Sequence, residues 1–192
     1  MDHNIGTLDA FVFKLRNVDK DVNNKDIVSG KLAYTKYLGG TDLDAGYAIA
    51  FRTDTITGSD YLYVGGGTAS QGGICASTAG QGDGFIAILD ATTGNFASTP
   101  KCIGGQSYDQ ITALAVDSAG SVYFGGITGS TDLPVSAANG TSAPFQQFNN
   151  GGPYEGFIGK LNSDGTTLNY LTYLGGGGDD YQYLDFARCW AR

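Results

Sequence analysis

The 192 residues include 31 glycines, 12 tyrosines and 10 phenylalanines but a single glutamate, Glu155, and a single methionine, Met1. Helix formers are scarce, and the mixture of glycine turns, aromatics and β-branched residues favours an all-β chain. Nineteen acidic against 11 basic residues leave a net charge of −8 with no Lys/Arg cluster, so no phosphate-binding stripe is present and nucleic acid is not an expected partner.

No apolar run approaches the roughly 18 residues of a membrane span. Residues 1–30 lack the basic-then-apolar pattern of a signal peptide, although an exported chain whose signal had been removed would look the same. A short phrase returns three times: DAFVFKL at 9–15, DGFIAIL at 83–89 and EGFIGKL at 155–161. Each is later followed by an apolar segment closing on a double glycine, Gly39-Gly40, Gly104-Gly105 and Gly175-Gly176. A repeat of 65 to 74 residues must carry several strands.

In chain order, the first expected elements are strands at 9–15 and 31–38, the third and fourth of a repeat whose earlier half is absent; they form a half unit over 1–45. Between them the turn has grown into 16–30, where Asp19, Asp21, Asn23 and Asp26 resemble the start of an EF-hand Ca²⁺ loop. The glycine after Asn23 and the closing acidic residue are missing, so a solvated insertion is the stronger expectation, and Ca²⁺ is the one cofactor the sequence offers.

A complete unit is expected over 46–105, with strands at 47–52, 61–66, 83–89 and 96–103 and a turn at Asp90-Ala91-Thr92-Thr93-Gly94. A second follows over 111–176: strands at 112–117, 121–126, 155–161 and 168–174, with a long polar stretch at 127–153. The turns Asp117-Ser118-Ala119-Gly120 and Asn162-Ser163-Asp164-Gly165 carry the side-chain acceptors and glycines that hairpins need. Leu62, Tyr63 and Val64 are consecutive, as are Val122, Tyr123 and Phe124, so both faces of these strands should be covered by other sheets. Residues 177–192 hold only a candidate first strand, near 181–188. There Leu184 and Phe186 sit one place out of phase with Ile49 and Phe51 or Leu114 and Val116; a slip of one residue turns a side chain to the opposite face.

Four-stranded antiparallel sheets stacked face to face are blades, and radial stacking of blades gives a β-propeller. The expected fold is therefore all-β, with propeller-like blades of four antiparallel strands, two whole and one partial at each end. The series Ile127-Thr128-Gly129-Ser130-Thr131-Asp132-Leu133-Pro134, Ala143-Pro144-Phe145-Gln146, EGFIGKL and Tyr170-Leu171-Thr172-Tyr173-Leu174-Gly175-Gly176 resembles the bacterial SBBP-type β-propeller repeat. The resemblance covers most of the chain. It implies export to the cell surface or exterior and brings no catalytic residue.

Chemistry is sparse. His3 is the only histidine and lies near the N-terminus, so a Ser-His-Asp or Cys-His mechanism has no credible base. Asp44, Asp109 and Asp180 each fall four residues after a double glycine, and Asp9, Asp83 and Glu155 each begin a third strand. Recurrence at equivalent places favours turn-building acceptors over a glycosidase pair. The glycine clusters 65–67 and 175–178 lack GK[ST] and read as strand-end turns. Asn139-Gly140-Thr141 fits a glycosylation sequon. Cys102 replaces the tyrosine found at Tyr37 and Tyr173; it is either a buried thiol or, in an oxidising compartment, the partner of Cys75.

These readings lead to a non-enzymatic extracellular structural or interaction module. Its expected partner is a second copy, joined head to tail into a ring or filament. Phe11, Phe13, Leu15, Tyr34 and Tyr37 of the N-terminal half blade would meet Tyr183, Phe186 and Trp190 of the C-terminal segment. The alternatives are a lectin-like domain binding a surface glycan through loops 68–82 and 127–153, or a fragment of a larger secreted hydrolase.

Overall fold

A computed structural model describes residues 6–16, 19–20, 22–27, 30–137 and 143–180. Every regular element among them is a strand: β1 (Ala10–Arg16), β2 (Asp19–Lys20), β3 (Asp26–Ile27), β4 (Lys31–Leu38), β5 (Asp44–Thr53), β6 (Asp60–Thr68), β7 (Asp83–Asp90), β8 (Lys101–Ile103), β9 (Asp109–Val116), β10 (Val122–Thr128), β11 (Glu155–Leu161) and β12 (Leu168–Leu174). They form a two-stranded first sheet β1-β4, a second sheet β5-β6-β7-β8 and a third sheet β9-β10-β11-β12, all antiparallel meanders; β2 and β3 make a separate short ribbon. These sheets form no closed ring among the described residues.

Local chemistry fixes the hairpins. Asp54, Asp90 and Asp164 each accept two backbone N–H bonds through Oδ1, from Ile56 and Thr57, Thr92 and Thr93, and Thr166 and Thr167, at 2.7 to 3.0 Å. Gly58 and Gly94 close the first two turns and Gly165 directly follows Asp164 in the third, all in the left-handed region at φ of 71°, 75° and 72°. Within the sheets, Gly66 opposes Phe85 and Gly126 opposes Phe157, and each ring lies over its glycine so closely that a Cβ would stand 2.7 Å from ring carbons.

The sheets stack face to face. Ala10, Val12 and Leu38 of the first sheet pack with Phe85, Ala87 and Leu89 of the second. Tyr63, Ile86 and Ile88 on the second sheet's other face pack with Ile111 and Phe124 of the third. Burial on both faces explains why β6 and β7 lack polar alternation.

Two differences from the sequence expectation have local causes. The strand expected over 96–103 is regular only at Lys101–Ile103, because Pro100 supplies no N–H and an isolated bridge, Leu89 to Phe96, is all that precedes it. The expected solvated insertion at 16–30 carries the β2–β3 ribbon, turned by Asn24 at φ 64°. Asn23 is exposed in that turn, whereas the Asp19, Asp21 and Asp26 side chains of the Ca²⁺ reading lie outside the described residues.

Candidate interaction surface

Every sheet junction is built on one motif. Asp44 Oδ2 accepts Gly40 N and Ser70 Oγ, both at 2.8 Å; Asp109 Oδ2 accepts Gly105 N at 2.8 Å and Ser130 Oγ at 2.9 Å; Asp180 Oδ2 accepts Gly176 N. The serines are themselves set by Thr68 and Thr128, whose Oγ1 atoms accept Ser70 N and Ser130 N. A second carboxylate meets the first across the leading glycine: a Cβ on Gly104 would strike Asp83 and stand 2.8 Å from Asp109 Oδ2, and Gly39 and Gly175 lie likewise between Asp9 and Asp44 and between Glu155 and Asp180. Only glycine fits there. The repeated carboxylates thus work as turn and junction acceptors within their own repeats.

The carboxylates differ in their environment. Burial, with the nearby Asp109 charge adding, raises Asp83 to about 6 against the Ala79 N–H that pulls it down; burial also raises Asp109. Glu155 reaches further and accepts Gln146 Nε2 at 3.0 Å and Asn150 N at 3.1 Å.

Cys75 and Cys102 form a disulfide with Cα atoms 5.9 Å apart, tying the loop after β6 to β8. His3 and the sequon at 139–141 lie outside the described residues. No helix among the described residues is long and apolar enough to cross a membrane.

The feature that no structural role absorbs is an apolar surface at the front of the stack. On β1, Ala10 and Val12 point into the molecule while Phe11, Phe13 and Leu15 point out. Phe11 and Phe13 stack at 6.1 Å between ring centroids, and Tyr37, opposite Phe11 on β4, completes the cluster at 6.3 Å. Beside it, Ile49 and Phe51 on β5 are 62% and 59% exposed. Ile49 and Phe51 stand opposite Val64 and Leu62, which share their face and do pack against the first sheet. The first sheet has two strands where its neighbours have four, so it covers β7, part of β6 and the start of β5 and leaves Ile49 and Phe51 of β5 bare. Among the described residues β1 pairs only with β4, which leaves its other edge beside the bare face of β5.

The sequence-derived interface set divides on this surface. Phe11, Phe13, Leu15 and Tyr37 lie together on it. Tyr34 turns the other way: its hydroxyl donates to Ala91 O and its ring packs over Gly94, so it belongs to the first–second junction, a correction that follows from its place on the inward side of β4. Tyr183, Phe186 and Trp190 lie outside the described residues. Sequence reasoning left out Ile49 and Phe51. Their signal was their alignment with Leu114 and Val116, which pack against the sheet in front.

No protein-family model matches the chain, and no curated protein matches it.

Proposed function

We propose that this chain is a non-enzymatic extracellular module of SBBP-type propeller blades that assembles by giving a strand of one copy to the front of the next. The observation that carries this reading is the edge of β1, unpaired among the described residues, running beside the exposed Ile49 and Phe51. A strand added to β1 takes up open backbone groups and covers that face in one step. Residues 181–192 of a second copy are the occupant, because they follow the third repeat at the place where each earlier repeat begins its first strand. Such a contact is heterologous, so it propagates into a ring or a filament. The disulfide supports an oxidising, exported setting.

Light scattering on the full chain at native concentration tests the proposal. Particles of several chains are expected, and both deletion of 181–192 and the double change Ile49→Asp with Phe51→Asp should reduce them to monomers that keep a β-type circular dichroism spectrum. If the truncated chain still builds the same particles, strand exchange is wrong.

A further inference from the structure

The chain steps from sheet to sheet in one way. Five residues, 39–43 and 104–108, carry it from β4 to β5 and from β8 to β9. Each step ends on an aspartate whose N–H donates to the carbonyl just before the repeat's third strand in the sheet being left, Asp44 to Leu8 O at 2.7 Å and Asp109 to Gly82 O at 2.9 Å. After β12 the step is taken again, through 175–179 to Asp180, whose N–H donates to Tyr154 O at 3.0 Å. The chain is thus turned toward a sheet behind the third, although among the described residues the stack ends there.

The rear face of the third sheet has the side chains for such a neighbour. At the first–second junction the cross-strand pair Lys14 and Tyr34 faces the next sheet, and Lys14 Nζ and the Tyr34 hydroxyl donate to Ala91 O at 2.8 and 3.3 Å. Lys160 and Tyr170 stand at the same repeat positions and are cross-strand partners in turn. Lys160 Nζ lies 4.7 Å from the Tyr123 ring centroid, so a row Tyr123-Lys160-Tyr170 crosses β10, β11 and β12. Ile158, two residues from Lys160, shares that face. On the second sheet the equivalent Tyr63, Ile86 and Ile88 are only 1 to 6% exposed, packed against the third sheet, whereas Tyr123, Ile158, Lys160 and Tyr170 stay partly exposed.

We propose that this rear face seats the front of the first sheet of a second copy, an inference that rests on the assembly reading above and names the surface of the giving copy that carries the contact. Front and rear are the two unmatched halves of one junction. Phe11 and Leu15 hold the repeat positions of Phe85 and Leu89 and of Phe157 and Leu161, which meet the preceding sheet at both internal junctions. On the first sheet they are 60% and 54% exposed. A second copy brings them onto Ile158 and the Tyr123-Lys160-Tyr170 row, while residues 181–192 of the giving copy pair along β1 in the same layer. The Lys160 stem adds apolar cover there and its charge stays over the Tyr123 ring.

Analytical ultracentrifugation of the full chain with each end blocked tests the seat. Ile158→Asp blocks the rear, and Phe11→Asp with Phe13→Asp blocks the front; each chain alone should sediment as a monomer with a β-type circular dichroism spectrum. Mixed in equal amounts they should form particles of two chains and no larger, because one intact front meets one intact rear. Lys160→Glu exchanges one charged side chain for another, should raise the dissociation constant about tenfold, and carries the test if the Ile158 change unfolds the chain. Folded rear variants that assemble as the unmodified chain does, or a mixture of folded variants that stays monomeric, would overturn the seat. If deletion of 181–192 disperses particles that the rear variants leave intact, the seat alone fails; particles that survive both changes sink strand exchange as well.

Discussion

The second and third sheets solve one problem with two chemistries. In each, the loop that leaves the second strand must be fastened to the fourth strand at the residue before the apolar-Gly-Gly end. In the third sheet that residue is Tyr173, buried, whose hydroxyl donates to Ser130 O at 3.0 Å and accepts Leu133 N at 2.9 Å. In the second it is Cys102, joined covalently to Cys75, with Ile74 buried beside it much as Leu133 is buried under its own loop. The first sheet has the tyrosine but no such loop, and Tyr37 packs on Phe11 at the surface instead. The fastening position is thus a property of the repeat, whereas the bond made there depends on what the loop brings.

The contrast is broken most strongly at the covalent end. Cys75→Ser with Cys102→Ser releases a link spanning 27 residues, and a closed loop of that size predicts a loss of about 3.5 kcal/mol in urea unfolding, reproduced in the wild-type chain by a reductant. At the hydrogen-bonded end, Tyr173→Phe keeps the ring and removes two bonds, leaving Leu133 N unpaired and Ser130 O with only the Thr128 hydroxyl at 3.4 Å; about 1 to 2 kcal/mol is expected. If the tyrosine change costs as much as the cysteine pair, the two fastenings differ in less than bond type, and the loop's apolar anchor carries the difference.

The repeat, the strand set and the junction role of Asp44, Asp109 and Asp180 were legible in the sequence, because turn chemistry and period are local. What sequence could not show was set by neighbours. Ile49 and Phe51 read as buried strand residues by their alignment with Leu114 and Val116, yet they lie bare because the sheet in front stops at two strands. Tyr34 and Tyr37 read alike, yet their positions on opposite faces of β4 send one to a junction and one to the surface.

The same pair of sheets differs in how the carboxylate at the start of the third strand is satisfied, and pH reads that difference most gently. Glu155 is met by Gln146 and Asn150 from the long loop before β11, whereas among the described residues Asp83 accepts only Ala79 N, at 3.2 Å, and its Oδ1 has no hydrogen-bond partner. Burial and then Asp109 raise Asp83 from 3.8 to about 6. With the folded value above the unfolded one, the folded chain keeps a proton that the unfolded chain has already released, so stability falls as pH rises from about 4 to about 6 and levels off above. Asp109, also raised, acts in the same direction. Asp54, Asp90, Asp117 and Asp164 are lowered, so their contributions are lost only as pH falls through their folded values, below about 4, and leave this window untouched. Thermal unfolding should therefore show a higher Tm at about pH 5 than at about pH 7, and Asp83→Asn, which cannot ionise, should narrow that gap. A gap of unchanged size in Asp83→Asn would show that Asp83 is not the group that titrates.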